Sequence, residues 1–302
     1  MKSILLLGGT RYFGRGILKT FASRGDNVTV LSRGNRPLPS GFLAQEWIRC
    51  DRKDESALRE SVSGREFDIV IDNICYDVAD AGSALRIFSG VCGLYIMTSS
   101  IMSYLNLYLQ GRALRETDWK YAESTTGMEM QYHSGLLKYA KSKRACESLF
   151  LASNTLDSVV LRLPNVVGEN DFSGRSAVLP QALKRSGAIE FSGHPHDTFQ
   201  QVYEQDLEKT YLFVADANIN ELPRSYNVGP PPILVSHYIE MIAEAIGVNA
   251  EVSYVNPQIS STNGEPFPKN VSMDCRAIER DLGIAFTPYA RFIPKLANWF
   301  TK

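Results

Sequence analysis

The chain has 302 residues, about twice the ~150 of a typical domain, which admits one large α/β domain or a large domain with a smaller companion. Its 32 Lys and Arg stand against 33 Asp and Glu, a net charge of −1 with no long run of either sign, which argues against nucleic acid or an anionic membrane as the main partner. Hydrophobic residues at 44% and charged residues at 22% disfavour a disordered, collagenous or coiled-coil chain.

Met1 to Leu7 is apolar but stops at Gly8-Gly9, short of the ~7–15 residues of a signal-peptide core, and reads better as a strand. No apolar stretch approaches the ~20 residues that span a bilayer, so a soluble, cytoplasmic protein is expected. Cys50, Cys75, Cys92, Cys146 and Cys275 are scattered without a CxxC, which suggests free thiols rather than disulfides or zinc. His194-Pro195-His196 lacks an acid or cysteine at ligand spacing, and no metal is expected.

Strands are predicted at Ile4–Leu7, Val28–Leu31, Trp47–Arg49, Ile69–Asn73, Leu94–Thr98 and Val159–Leu163, separated by helical patterns such as the face Ile17, Leu18, Phe21 and Ala22. Strands that alternate with helices imply βαβ units, hence an α/β fold with a doubly wound parallel Rossmann sheet. The strands are almost continuously apolar, as strands covered on both faces should be.

The first strand runs directly into Gly8-Gly9-Thr10-Arg11-Tyr12-Phe13-Gly14 and then a helix. Gly8 permits a tight turn, Gly14 allows close packing of helix on sheet, and the helix N-terminus offers unpaired N–H groups and a positive dipole to a pyrophosphate. Gly8, Thr10, Arg11, Tyr12, Phe13 and Gly14 are therefore candidate cofactor residues. Arg11 stands where a GxxGxxG turn has its middle glycine, and two readings compete: it spoils the close approach of backbone to phosphate, or its guanidinium reaches an anionic group of the cofactor. The second strand ends Ser32-Arg33 with no acid for a ribose 2′-hydroxyl, and those residues, with Arg11, suit a 2′-phosphate. NADP(H) is favoured over NAD(H), which stays open.

The fifth strand ends Thr98-Ser99-Ser100, at the carboxyl edge where such sheets bind ligands. Tyr139 and Lys143 sit four apart in a helical pattern from about Ser134 to Leu151, so they share a face. A nearby ammonium favours a phenolate, as a general acid/base near neutrality needs.

After Leu163-Pro164 longer Pro- and Gly-rich loops suggest a second lobe. Helical patterns follow at Asp206 to Ala215, Val235 to Ile246 and Arg291 to Phe300, with a strand-like Tyr226-Asn227-Val228. The expected division is a nucleotide-binding domain over 1–165 and about 201–229, and a smaller C-terminal substrate lobe over 166–200 and 230–302. Residues Tyr104 to Gly135 make a long connection that suits a lid or pocket wall, with Arg112, Arg115, Glu116, Asp118 and Trp119 mixing charge and aromatic surface.

Gly8-Gly9 to Gly14, Thr98-Ser99-Ser100 followed by Tyr104, and Tyr139 to Lys143 together resemble the extended or atypical short-chain dehydrogenase/reductases, the NAD(P)-dependent epimerase/dehydratase superfamily. The resemblance continues through Cys50-Asp51-Arg52-Lys53-Asp54, Leu161-Arg162-Leu163-Pro164-Asn165-Val166-Val167-Gly168, Gln205-Asp206-Leu207 and Tyr226-Asn227-Val228-Gly229. It implies an oxidoreductase in which Ser100 orients a carbonyl, Tyr139 transfers the proton and Lys143 binds the nicotinamide ribose and tunes Tyr139. It also implies cofactor contacts at Asp51, Arg52, Asn73, Thr98, Pro164 and Val166. Ser100, Asn165, Arg175 and Gln201 would meet substrate.

Sugar dehydratases of the superfamily carry an acidic pair beside the strand-five hydroxyl, and Ile101-Met102 supplies none. Carbonyl reduction is favoured, with NAD-dependent nucleotide-sugar 4-epimerisation as the alternative. The resemblance favours a nucleotide sugar as substrate, with a smaller hydroxyketone or antibiotic precursor also in view, and it admits a homodimer. The Gly-Gly-Thr-Arg turn is similar to that of plastid RNA-binding relatives, so a non-catalytic nucleotide- or RNA-binding protein on the same fold is the competing class.

Overall fold

The computed structural model describes residues 1–302 apart from 37–40, 105–111, 124–133, 256–269 and 271. In the first half the elements are β1 (Ser3–Leu7), α1 (Phe13–Ser23), β2 (Asn27–Ser32), β3 (Glu46–Arg49), α2 (Glu55–Ser61), β4 (Phe67–Asp72), α3 (Val78–Phe88), β5 (Cys92–Ser100), α4 (Ser134–Ala152) and β6 (Ser158–Leu163). The second half adds β7 (Asn165–Val167), α5 (Arg175–Ser186), β8 (Ala188–Ser192), β9 (Thr198–Phe199), β10 (Gln201–Tyr203), α6 (Glu204–Asp216) and β11 (Ser225–Asn227). It ends with β12 (Ile233–Leu234), α7 (Val235–Ile246), β13 (Glu251–Val255), α8 (Arg276–Leu282) and α9 (Tyr289–Phe300). Short 3-10 turns cover Ile101–Tyr104 and Glu116–Glu123. Among the described residues, no helix is long and apolar enough to cross a membrane.

Seven parallel strands form the main sheet in the order β11-β6-β5-β4-β1-β2-β3. The chain begins in the middle, moves outward through β2 and β3, and returns to β4 on the other side of β1. That reversal between β1 and β4 leaves a crevice at their carboxyl ends, where doubly wound sheets bind ligands. Alternation along β1 divides the interior: Ile4 and Leu6 enter the core that includes α1 and α6, whereas Leu5 and Leu7 enter the core under α2, α3 and α4. Both faces are covered, which is why these strands read as continuous apolar runs rather than alternating ones.

The second lobe has its own core, in which Leu179 and Leu183 of α5, Ile239, Ile242 and Ile246 of α7, and Phe292 and Leu296 of α9 meet. Three two-stranded pairings, β7 with β10, β8 with β13 and β9 with β12, frame it. Met273, Cys275, Ile278, Ile284 and Phe286, expected in that lobe, instead join the core of the main sheet. Hydrophobic pattern shows that a segment buries a face, but not which of two cores receives it.

Candidate functional site

The turn after β1 is held from both neighbouring strands: Gly8 N–H donates to Leu31 O at 3.2 Å, and Asn73 N–H donates to Leu7 O at 3.1 Å. Gly8 takes φ +88°, and a Cβ there would stand 2.7 Å from Ile74 Cγ2. A Cβ on Gly14 would stand 2.5 Å from the carbonyl oxygen of Gly8, so the helix can start this close to the turn only with glycine. Arg11 keeps a negative φ, and the left-handed position falls on Tyr12, at φ 51° and ψ −141°. A non-glycine residue there costs about 1–3 kcal/mol and persists where surroundings enforce it. Two sets of contacts enforce it here: Tyr12 Oη donates to Val166 O at 2.5 Å, and its ring meets Phe13 and Phe172 edge-on at 5.5 and 5.8 Å. Burial, with Asp171 adding to it, pushes the Tyr12 phenol far above its ordinary range and keeps it a donor.

Two features fit a dinucleotide at this turn. α1 starts with no side-chain cap and no acid in its first turn, which leaves N–H groups for a phosphate. Asn73 is buried and its Nδ2 has no partner, while its Oδ1 accepts from Thr98 Oγ1 at 2.6 Å. That amide nitrogen lies 3.5 Å from the place where a side chain on Gly14 would begin, facing the turn. An orphaned buried donor costs about 1–3 kcal/mol unless something accepts from it.

At the end of β2, Ser32 is half-buried and its Oγ accepts from Trp47 Nε1 at 2.8 Å, while Arg33 is exposed. Arg49 lies over the Trp47 ring, 4.3 Å from its centre. Asp51 is exposed and accepts from Lys53 N–H. Arg52 behaves otherwise. It is 4% exposed, pairs with Asp72 at 2.5 Å and Asp80 at 3.5 Å, and donates to Asp80 O at 2.7 Å. Its guanidinium ties β3 to β4 and α3 inside the protein rather than facing the crevice, and sequence spacing could not reveal those two carboxylates. Thr98, bonded also to Tyr211 Oη at 2.5 Å, is likewise buried, so its side chain braces Asn73.

Helix α4 brings Tyr139 and Lys143 to the same crevice. Lys143 is 2% exposed, and its Nζ donates to Cys75 O at 2.7 Å, in the loop after β4, and to Thr98 O at 2.9 Å, near the carboxyl end of β5. Burial pulls this ammonium toward neutrality, but the fields of Tyr139, Cys75, Tyr76 and Asp72 outweigh it and its pKa is raised above the ordinary lysine range. One of its three donors remains. Tyr139 lies one helical turn earlier, partly buried against the main core. The half-exposed ring of Tyr76 stands 4.9 Å from Nζ. Sequence reasoning passed over Tyr76, whose only signal was its place just after Cys75.

The two serines at the end of β5 point to opposite faces. Ser99 is buried and bonded to Glu147, whose other oxygen accepts from Arg162 Nε at 2.8 Å. Ser100 is half-buried, and its Oγ accepts from Met102 N–H at 3.2 Å, which leaves its hydroxyl proton for another acceptor. Glu147 and Arg162 are both fully buried. Arg162 continues to Tyr104 Oη at 2.9 Å, Tyr104 donates to Asn227 Oδ1 at 2.9 Å, and Asn227 N–H donates to Glu116 at 2.8 Å. This network fixes α4 against β5 and β6. Glu147 follows Lys143 by four on the same helix, a spacing that could have flagged it.

On the substrate side, Asn165 is half-buried at the start of β7 and Pro164 is packed close to Gly229. Val166 is buried and lends its carbonyl to Tyr12. Arg175 is exposed at the start of α5, its Nε on Ser173 Oγ at 2.9 Å. Gln201 is fully buried on β10, with its backbone N–H on Tyr289 Oη at 2.9 Å, and so lies inside the small lobe rather than on its surface. Of the long connection after Tyr104, residues 105–111 and 124–133 lie outside the described residues. Its described charges are engaged: Arg112 with Asp118 at 2.7 and 2.9 Å, Arg115 with Asp274 at 3.6 Å, and Glu116 with Asn227.

Residues 4–80 match the model of the NAD dependent epimerase/dehydratase family. The chain has the fold of the extended short-chain dehydrogenase/reductases. UDP-glucose 4-epimerase of Thermus thermophilus, solved with NAD, superposes with a TM-score of 0.72 at 19% identity, over 98% of each chain. The 2′-dehydrokanamycin reductase of Streptomyces kanamyceticus is 34% identical over 98 residues, 32% of this chain and 27% of the reductase. The chloroplast stem-loop binding protein of 41 kDa b of Arabidopsis thaliana is 31% identical over 83 residues, 24% of this chain and 22% of that protein. This chain therefore matches only about a quarter of the length of either curated relative.

Proposed function

We propose that this protein is an NADP(H)-favouring oxidoreductase that reduces a carbonyl on a small polyhydroxylated substrate. The observation that carries the reading is the buried Lys143 ammonium, fixed on two backbone carbonyls at the carboxyl ends of β4 and β5, one helical turn from Tyr139 and at the crevice of the sheet. Ser100 donates to the substrate oxygen, Tyr139 delivers the proton to it, and Lys143 stabilises the phenolate that remains. The nicotinamide, when bound, supplies the hydride. Asn73 Nδ2 and the N-terminus of α1 hold the dinucleotide beside these groups, and Asp51 reaches its adenosine end. Ser32 and Arg33 favour a 2′-phosphate because no acid stands at the end of β2 to repel one.

Reduction is favoured over 4-epimerisation, since an epimerase regenerates its cofactor and gains nothing from the exchangeable NADP(H) that Ser32 and Arg33 suit. The partial match to a protein named as a reductase points the same way. Epimerisation is the second reading, kept by the likeness in fold to an epimerase solved with NAD. Substrate contacts are assigned to Ser100, Asn165 and Arg175. Among the described residues of the connection after Tyr104, Arg112 and Arg115 are engaged by carboxylates, which favours a hydroxyketone or antibiotic precursor over a nucleotide sugar. The test is NADPH oxidation across a panel of keto-sugars and hydroxyketones, with NADPH and NADH binding followed through Trp47, which bonds Ser32. Turnover with NADPH that Tyr139→Phe abolishes is expected. Tightly retained NAD with sugar epimerisation would move the assignment to the second reading, and salt-sensitive RNA retention without dinucleotide binding would move it to the non-catalytic class.

A further inference from the structure

We infer that Arg11, stacked on Phe172, clasps the pyrophosphate of the cofactor from the small-lobe side and takes over with a side chain what a middle glycine does with bare backbone. The inference rests on the proposed cofactor reading and assigns Arg11 a different phosphate from the one expected for it with Ser32 and Arg33.

The guanidinium carbon of Arg11 lies 3.4 Å from the centre of the Phe172 ring. Stacking uses the flat face of the guanidinium and leaves the N–H groups at its edge free to bind oxygen. Among the described residues Arg11 takes no hydrogen bond or ion pair that would occupy them. Phe172 is 60% exposed in a segment that is otherwise well anchored. Its neighbour Asp171 accepts from Ser173 N–H at 2.9 Å and from Ser176 N–H at 3.0 Å, so the ring is presented rather than loose. The edge contact of Tyr12 with the same ring and the bond from Tyr12 to Val166 complete a bridge from the glycine turn to the segment after β7.

The direction of the bridge selects the phosphate. β7 continues from β6, and β6 lies on the opposite side of β1 from β2 in the sheet. Stacking on Phe172 therefore draws Arg11 away from Ser32 and Arg33 at the end of β2, toward the space above β1. The anion held above a turn of this kind is the pyrophosphate. Both nicotinamide cofactors carry it, so Arg11 contributes affinity without choosing between them, and Phe172 is a positioning residue that acts through Arg11.

Dissociation constants for NADPH, NADH and adenosine 2′-monophosphate, measured by calorimetry on the full chain, test this. Arg11→Gln is expected to weaken NADPH and NADH by a like factor, roughly tenfold, as loss of one charge-assisted contact does. Adenosine 2′-monophosphate, which lacks a pyrophosphate, should be unaffected. Phe172→Leu should weaken both dinucleotides by a smaller factor, about threefold, and Phe172→Tyr, which keeps the stack, should restore wild-type binding. A loss confined to NADPH and adenosine 2′-monophosphate would place Arg11 on the 2′-phosphate and overturn the inference. Unchanged constants in Arg11→Gln, with wild-type binding intact, would overturn it while leaving the cofactor reading standing. A wild-type protein that binds neither dinucleotide would remove that reading itself.

Discussion

Arg162 and Arg11 are both arginines of the crevice region, and the protein treats them in opposite ways. Arg162 is fully buried with Glu147, its Nε turned to Glu147 and its Nη1 to Tyr104. Arg11 is half-exposed on an aromatic ring with its edge open. Arg52 and Arg33 repeat the contrast at the other end of the sheet. Charges paired in the interior hold helices and strands in register, and charges left at the carboxyl edge are available to an anionic ligand. Sequence alone gives both kinds the same letter.

The contrast breaks most visibly at the buried pair. Arg162→Met leaves Glu147 buried without its cation and should destabilise the fold by roughly 3–5 kcal/mol. Thermal melting would register the loss, and adding Glu147→Gln should recover much of it. Melting that drops little in the single variant would mean that the pair is solvated in practice.

Tyr139→Phe is expected to lower turnover by about 100-fold or more while the dissociation constant for NADPH stays within about twofold, because the hydroxyl is needed for proton transfer and not for holding the dinucleotide. Stopped-flow binding and steady-state rates on one preparation separate the two effects.

At the open edge the effect is smaller. Replacing Ser32 by Asp together with Arg33→Ser puts a carboxylate where a 2′-phosphate would lie and removes its cation. The ratio of kcat/KM for NADPH to that for NADH should fall by about tenfold. An unchanged ratio would detach β2 from cofactor choice.

Acid sensitivity should come from exposed pairs rather than from the crevice. Arg86 holds Glu55 down to about 2, and Arg276 holds Asp274 down to about 2. Both folded values lie below the unfolded ones, so the stabilisation is fully present above pH ~4.3 and fades as pH falls toward 2. Urea midpoints measured from about pH 6 to 2.5 should therefore decline, and Arg86→Ala should flatten that decline slightly. The smallest effect belongs to Arg65→Ala, which removes an exposed pair with Glu46 and should change stability by no more than about 1 kcal/mol.

Much of this was written in the sequence because local physics writes it there. All six strands predicted in the first half form, within a few residues of their expected ends, since doubly covered strands must be apolar throughout. Tyr139 and Lys143 share a helix face because a turn is about 3.6 residues long. Gly8 and Gly14 announced the tight turn through the side chains that they lack.

The tertiary structure decided what depends on residues far apart in the chain. The inward turn of Ser99 follows from Glu147, 48 positions away, and that of Arg52 from Asp72 and Asp80. Phe172 gave no signal at all, being an isolated phenylalanine in a polar segment until folding set it against Arg11, 161 positions away by the numbering. Periodicity and spacing report neighbours along the backbone, whereas the assignment of a charge to the interior or to a ligand is made by partners that only chain folding brings within reach.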